Sequence, residues 1–265
     1  VGKEMEAVGA SVTDFLHGTW LNHPLHPALT DVPIGAWSAT QILDLLELSR
    51  EKPRLAPGAD AALAVGIGGA AAAAVSGMAD WRHVYGYPRR IGLLHAALNT
   101  AALFMNTTSL GFRLRGDRRR GVAWSSLAYL SVLFSAWLGG QLVYAQGIGV
   151  DHTVFEEGPP EFQPVMKEGD LPEGQLRRVE AQGVPVLLFR RGQKIQAIAE
   201  TCSHQGGPLS EGQITDDVVI CPWHGSHFRL EDGALVHGPS AFDQPRYEAR
   251  VRDGQIEVRL APTVR

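Results

Sequence analysis

The chain has 265 residues, and 24 Lys and Arg against 28 Asp and Glu give it a net charge of -4. No basic stripe alternates with aromatic residues, so nucleic acid is not an expected partner. Both cysteines belong to one ligand motif, so cysteine usage says nothing about the redox compartment. Residues 1–150 contain long uncharged stretches, whereas residues 151–265 carry 12 basic and 18 acidic residues spread evenly. Length and this contrast together predict two domains.

Four apolar stretches in the first half are long enough to cross a membrane, which takes about 20 mainly apolar residues. The last three lack the periodic charges that the outer face of a soluble four-helix bundle, the alternative, would show. The sequence therefore predicts an all-α four-helix transmembrane bundle over residues 1–150. The expected spans are about Ala28 to Leu48, Ala61 to Ala79, Ile91 to Phe112 and Val122 to about Ile148.

Basic residues in the loops predict an orientation. Loop one holds Arg50, Lys52 and Arg54, loop three holds five arginines between Arg113 and Arg120, and the opposite side carries four basic residues. By the positive-inside tendency, loops one and three face the cytoplasm. Both termini of this integral membrane protein with four spans then lie on the outer, periplasmic or extracellular, face. The run from Arg118 to Arg120 is better interpreted as a cytoplasmic anchor than as a twin-arginine export signal.

Five histidines of this half, including His17, fall near one membrane face. His23 and His26 each precede a proline, which favours extended geometry and points positions i and i+3 the same way. His95 lies inside an apolar span, where an ionisable residue is a functional candidate. We expect two of His23, His26, His83 and His95 to bind a b-type haem or a second metal ion. The alternative is that these side chains join loops to helix ends.

The second half has a different period. Residues 151–161 are acidic and rich in Pro and Gly, and are interpreted as a linker. From Phe162 onward, short β-rich runs alternate with turn signals, of which Asp253-Gly254 is a strong hairpin signal. The sequence predicts an all-β domain over residues 162–265. The expected strands are Gln175–Val179, Pro185–Arg190, Lys194–Ala199, Val218–Ile220, His227–Leu230, Tyr247–Arg252 and Gln255–Leu260.

Two short motifs supply two thiolates and two imidazoles. The first motif contains Cys202 and His204, and the second contains Cys221 and His224. A structural zinc site, the alternative, usually places two to four residues between paired ligands, but the first motif has one. An asymmetric [2Fe-2S] cluster needs this ligand set, because one iron takes both cysteines and the other takes both histidines.

The segments CSHQGGPLSEG and CPWHGSHF, followed by Asp232-Gly233 and Gly238-Pro239, resemble the Rieske family over residues 162–260. The resemblance implies that Cys202 and Cys221 bind one iron and that His204 and His224 bind the other. It also implies that backbone N–H groups near Gly206 and Pro222 turn toward the sulfurs, and that the Ser226 hydroxyl bonds a bridging sulfide.

This sequence departs from that family's respiratory branch. The two additional loop cysteines of that branch are replaced by Gly207 and Trp223, and its tyrosine is replaced by Phe228. We therefore expect an intermediate to low reduction potential within the window of roughly -150 to +300 mV for such centres.

The first half also resembles an uncharacterised family of four-helix membrane domains, some of which are fused to Rieske domains. HPLHPALTDVPIGAW, MADWRHVYG, LHAALNT and LGGQLVYAQGIGVDHT carry the resemblance, over residues 20–155. It implies four helices and little about activity.

These patterns predict a membrane-anchored relay that moves one electron between a membrane or soluble donor and a partner, with or without a haem b. Expected partners are the lipid bilayer, a redox protein or quinol, and other subunits of a larger complex. One alternative is a redox-sensing or stabilising subunit. Another is an oxygenase component, which would need a 2-His-1-carboxylate iron in a further domain. An electron carrier or oxidoreductase subunit fits better than a stand-alone enzyme, and no catalytic residue is predicted.

Overall fold

The computed structural model describes residues 12–48 and 54–262. Two compact units emerge. The first is Pro24–Ile148, and the second joins the described residues up to His23 with Gly149 onward. Lys3, Arg50 and Lys52, which contribute to the predicted orientation, lie outside the described residues.

Four long helices build the first unit, as predicted. They are α1 (Leu25–Leu48), α2 (Ala56–Trp81), α3 (Gly86–Leu114) and α4 (Arg118–Gly140), and a π-helical turn, Gln141–Ala145, continues α4. Helix α1 begins earlier than expected, so His26 and Pro27 are helical rather than extended. Proline is tolerated there because the N–H groups of a first turn have no intrahelical acceptor.

Small residues let α1 and α2 approach closely. A Cβ atom on Gly66 of α2 would lie 2.3 Å from the indole nitrogen of Trp37 of α1, and one on Gly69 would lie 2.6 Å from Val32. Close backbone approach through glycine and alanine is typical of helix packing in membranes. The run of Gly and Ala in α2 is therefore the surface that receives α1.

A charge network joins all four helices at one end of the helical unit. The buried Arg113 of α3 binds Asp44 of α1 and lies 2.9 Å from Asp60 of α2. Arg118 of α4 pairs with the same two carboxylates, at 2.6 and 2.9 Å. Ser125 also accepts a 3.0 Å hydrogen bond from Arg113. Two cations thus neutralise two anions, which allows them to be buried.

Two of the helices are long and apolar enough to cross a membrane by length and composition. They are α2, with 26 residues, and the 28-residue stretch Arg118–Ala145. Among the described residues, these are the ones that meet both criteria.

The β unit contains a larger and a smaller antiparallel sheet. The strands are β1 (Gln163–Lys167), β2 (Leu176–Ala181), β3 (Val184–Arg191), β4 (Lys194–Ala199), β5 (Gln213–Thr215), β6 (Val218–Ile220), β7 (His227–Arg229), β8 (Leu235–His237), β9 (Arg246–Arg252) and β10 (Gln255–Leu260). The larger sheet has the order β1-β10-β9-β4-β3-β2, and the smaller sheet has the order β5-β6-β7-β8. Each predicted strand is present, and β1, β5 and β8 are additional.

Strand β3 separates two apolar cores by its alternation. Val186 and Leu188 point into one core, which they share with side chains from other strands of the larger sheet. Leu187 and Phe189 point into the other, which also contains both cysteines. Because successive side chains of a strand face opposite sides of the sheet, one strand supports both cores. The cysteine loops are therefore anchored on the apolar face between the two sheets.

Candidate metal centre

The two cysteine loops have the same backbone design despite different ligand spacing. In the first, the Cys202 N–H donates to the Gly207 carbonyl at 2.8 Å, and the Gly206 N–H donates back to the Cys202 carbonyl at 2.8 Å. In the second, the Cys221 N–H donates to the Ser226 carbonyl at 2.8 Å, and the Gly225 N–H donates to the Cys221 carbonyl at 3.0 Å. The two loops are therefore equivalent ligand supports.

A glycine closes each loop in a conformation that other residues adopt at a cost. Gly206 has a φ of 74° and Gly225 a φ of 79°. Both values fall in the left-handed region, where the absence of a Cβ removes the steric penalty. Gly206 therefore closes the first loop through its backbone, and Gly225 is its counterpart in the second loop.

Backbone amides converge on both sulfurs. The N–H groups of His204 and Gln205 are directed to the Cys202 sulfur, and those of Trp223 and His224 to the Cys221 sulfur. Amide donors of this kind stabilise negative charge on sulfur and tune the potential of iron–sulfur clusters. In both loops they come from the second and third residues after the cysteine, and Pro222 occupies the exposed corner of the second loop.

The two buried thiols lie within hydrogen-bonding reach of each other. This contact lowers the pKa of Cys221 to about 7, with help from the Trp223 and His224 amides. The same contact, followed by burial, raises the pKa of Cys202. Metal binding displaces the thiol protons of such a pair, because thiolate is the ligand form.

The two motif histidines form a second pair. The rings of His204 and His224 lie edge to face, with centroids 4.9 Å apart. The Nδ1 atom of His204 is shielded from solvent. Burial lowers the pKa of His224, which favours the neutral imidazole that binds metals. Two thiols and two imidazoles are thus brought together as separate pairs.

The first loop packs directly on the second. A Cβ atom on Gly207 would lie 2.9 Å from the Cys221 sulfur and 3.1 Å from the Trp223 ring. Glycine is required here because a side chain would push the loops apart.

A third loop, residues 238–242, covers the other two. The Ser240 N–H donates to the Ser226 hydroxyl oxygen at 3.0 Å. The Ser240 and Ser203 hydroxyls lie 2.8 Å apart. These serines are fully buried, so a hydroxyl network links all three loops.

The sequence of the β unit is similar to those of known proteins. A model of the Rieske [2Fe-2S] domain matches residues 161–248. Ferredoxin CarAc of Metapseudomonas resinovorans is 33% identical over 95 residues, which are 36% of this chain and 89% of that protein. The chain belongs to the Rieske family. The helical unit matches a model described as Predicted membrane protein (DUF2231) over residues 22–152.

Two further relatives extend the Rieske comparison. The 3-phenylpropionate/cinnamic acid dioxygenase ferredoxin subunit of Escherichia coli (strain K12) is 34% identical over 92 residues, which are 34% of this chain and 86% of that protein. A solved chain described as a complex of reduced oxygenase and oxidized ferredoxin in carbazole 1,9a-dioxygenase is 31% identical, with a TM-score of 0.36. The alignment covers 38% of this chain and 94% of that chain.

The donor set fits the Rieske cluster. Each iron of such a cluster takes two protein ligands of one kind, and the loops present a thiol pair and an imidazole pair. Within residues 12–48 and 54–262, no three His, Cys, Asp or Glu side chains converge as a mononuclear site would require. Cys202, Cys221, His204 and His224 are thus the residues that would hold the cluster.

Two of the candidate histidines of the first half meet within the helical unit. His26 of α1 and His95 of α3 face each other, with ring centroids 6.3 Å apart and nearly perpendicular planes. His23 belongs to the β unit, and His83 lies between α2 and α3. His26 and His95 are thus a candidate pair that the helical unit brings together.

Some residues at the centre carried no signal in the sequence. Ser240 lies outside both ligand motifs, and its contacts depend on the return of the 238–242 loop. Asp14 lies more than two hundred residues before Gly238, yet its carboxylate accepts a 2.8 Å hydrogen bond from the Gly238 N–H. No local pattern could reveal either contact.

Proposed function

We propose that this Rieske protein is a membrane-anchored electron carrier that moves one electron at a time between a membrane or soluble donor and a partner. The observation that carries the proposal is the pair of matched loops, each with a cysteine, a histidine and amides aimed at sulfur. A bound [2Fe-2S] cluster supplies the one-electron chemistry. The chain's own loops bind it, exclude water from the sulfurs and set its potential.

The test is the cofactor content of the intact protein in detergent. We expect two iron atoms and two inorganic sulfides per chain, and the electron paramagnetic resonance signal of a reduced Rieske centre. C202S and H224A should abolish that signal, whereas H227A should keep it, because His227 lies outside both motifs. Stoichiometric zinc, or iron without this signal, would contradict the proposal.

The membrane anchor has four spans in this proposal. Each of the four helices exposes large apolar side chains, such as Leu45 (68%), Phe104 (69%) and Leu130 (65%). The charges of α1 and α3 near their shared end, Asp44 and Arg113, are buried as partners. A surface of this kind is suited to lipid, and a neutralised interior explains how helices with charges can still span.

The cluster domain lies on the outer face in this proposal. The basic residues of loops one and three support this orientation through the positive-inside tendency. Fusions of an outer-face and a cytoplasm-specific reporter to the C-terminus test it. Activity of the cytoplasmic reporter alone would reverse the orientation.

The exposed Trp223 (56%) beside His224 provides an apolar contact next to the ligands. We propose that the electron partner, a redox protein or a quinol, docks there. The Escherichia coli relative, which is named as the ferredoxin subunit of a dioxygenase, supports a protein partner. In W223A we expect a slower electron transfer rate with an unchanged potential. The cluster would instead have a sensing or stabilising role if C202S left electron flow intact.

A relay through a haem b is a second candidate, and the His26–His95 pair favours it. His26 Nδ1 donates to the Ala73 carbonyl at 2.8 Å, and His95 Nδ1 donates to the Ser135 carbonyl at 2.9 Å. Carbonyls only accept, so each ring presents its Nε2 lone pair, as metal-binding histidines commonly do. The Asn99 amide donates to the His95 Nε2 at 3.1 Å, and iron would replace that bond.

Visible spectra distinguish the two candidates. With haem, the reduced-minus-oxidised spectrum of the pure protein shows b-type bands that disappear in H26A and H95A and persist in H83A. A spectrum of the iron–sulfur cluster alone would eliminate the haem and leave the Rieske relay intact.

A further inference from the structure

The segment ahead of the first long helix is part of the cluster domain. Residues 12–17 are helical, Thr19–Leu21 form a short 3-10 helix, and both group with the β unit. The Rieske model matches only from residue 161 onward. This N-terminal segment is therefore an addition to the domain that its relatives define.

The contact between this segment and the β unit centres on one carboxylate. Asp14 Oδ1 accepts hydrogen bonds from the Gly238 N–H and from His237 Nδ1, both at 2.8 Å. A Cβ atom on Gly238 would lie 3.2 Å from His17 and 3.4 Å from Thr19. The N-terminal segment thus packs against one side of Gly238, and the charged Asp14 carboxylate holds the Gly238 N–H by a hydrogen bond.

Gly238 is also the first residue of the loop that covers the cluster ligands. Two residues later, Ser240 donates its N–H to the Ser226 hydroxyl oxygen and contacts the Ser203 hydroxyl. Ser203 lies between Cys202 and His204, and Ser226 follows His224 by two positions. A continuous set of hydrogen bonds and short backbone steps therefore runs from Asp14 to both ligand loops.

Asp14 lies among histidines that also belong to this unit. The His237 ring lies 5.0 Å from that of His227, its partner across β7 and β8. His17 is close on the side of the N-terminal segment. These histidines all lie near the Asp14 carboxylate. The effect of its negative charge must therefore be tested separately from its role as a hydrogen-bond acceptor.

We propose that Asp14 is a positioning residue of the iron–sulfur centre: it fixes the 238–242 loop through Gly238 and so sets the hydrogen bonding around the cluster. The proposal rests on a loaded cluster but not on the identity of the electron partner. A loop held in place keeps the Ser226 hydroxyl aligned, and donors to the cluster favour its reduced, more negative form. The negative charge of Asp14 disfavours the reduced, more negative cluster and so lowers its midpoint potential.

The experiment compares D14N and D14A in the full-length protein. Asparagine keeps an acceptor oxygen for the Gly238 N–H but removes the charge, whereas alanine removes both. D253N removes a charge from an exposed turn and serves as the control. We expect the midpoint potential of D14A to fall below that of D14N, with altered resonance g values in D14A only. Equal potentials and g values in D14A, D14N and D253N would overturn the proposal.

A second measurement applies if D14A does not retain its cluster. Without the charge, the bond from Gly238 in D14N is weaker, so amide hydrogen exchange over residues 236–242 should be faster than in wild type and D253N. Unchanged exchange would overturn the proposal. Absence of a Rieske signal in the wild-type protein would instead refute the proposed function.

Discussion

The two units of this protein differ in the side chains that their outer surfaces expose. In the β unit, Leu188, Ile198 and Phe228 are fully buried, and the exposed ion pairs are on the surface. In the helical unit, the interior contains the Arg113 network and buried serines, whereas Phe104 and Leu130 face outward. A hydrophobic core selects the first arrangement in water. Close contact of small and polar residues suits the second arrangement to lipid, where we propose that the helical unit lies.

The contrast shows where each unit obtains its stability. Removing a methylene from the β core loses both transfer free energy and packing. The helical unit depends more on fit between backbones and on the mutual neutralisation of buried charges. The same kind of substitution should therefore have different consequences in the two units.

The largest effect should follow from breaking the charge network. R113A leaves the buried Asp44 with the partly exposed Arg118 as its remaining cation. The cost in the free energy of unfolding should approach the about 3–5 kcal/mol of a broken buried pair. R119A removes an exposed arginine of the same region and is the control. Thermal unfolding in detergent measures both.

Replacing the ion pair by apolar residues tests whether the instability of R113A comes from the buried charge that it leaves behind. D44L/R113M should recover most of the loss, because no buried charge is left unpaired. If R113A is as stable as R119A, the network does not hold the helices together.

A lysine on the outer surface of each unit tests whether the two surfaces face different solvents. L130K places a charge where we propose lipid, at a cost of about 2.5–3.5 kcal/mol near the bilayer centre. V251K makes a similar change on the exposed surface of β9, where substitutions typically stay within about 0.5 kcal/mol. The yield of membrane-integrated protein should fall for L130K alone. Equal yields would argue that Leu130 faces water.

Most of the fold was predictable from periodicity. A change from long apolar runs to alternation of period two separates the helical and β units, and each predicted strand is present. The start of α1 was not predictable from the prolines, because Pro27 lies in a first turn that tolerates it. Strands β5 and β8 have three residues each, too few to show a period.

The candidate ligand set could be proposed from the sequence because cysteine and histidine at fixed spacing indicate cluster chemistry locally. The residues that hold the loops of the centre in place were harder to predict from the sequence. Ser240 and Asp14 act through contacts that only the folded chain creates. Asp44 was visible as a charge in an apolar span, but its partner Arg113 was assigned to loop three, because the predicted span ended at Phe112.

Close helix packing gives an intermediate effect with an internal control. In G66A the added methyl group would meet the Trp37 indole at 2.3 Å. Such overpacking costs about 1–3 kcal/mol. G68A, one half-turn away on α2, meets no atom within 4 Å and should be neutral. Unfolding temperatures of the two variants compare them directly, and similar values would show that α1 and α2 are not in contact at Gly66.

The smallest effect concerns a single hydroxyl in each unit. Ser226 accepts a bond from Ser240, so its O–H is directed elsewhere and is suited to donate to a cluster sulfide. One net hydrogen bond is worth about 0.5–1.5 kcal/mol, or roughly 20–60 mV for one electron. Because a donor favours the more negative reduced cluster, S226A should lower the midpoint potential by that amount. S126A removes a hydroxyl bonded to Gln41 in the helical unit and should leave the potential unchanged. If both variants keep the wild-type potential, Ser226 supports the covering loop without touching the cluster.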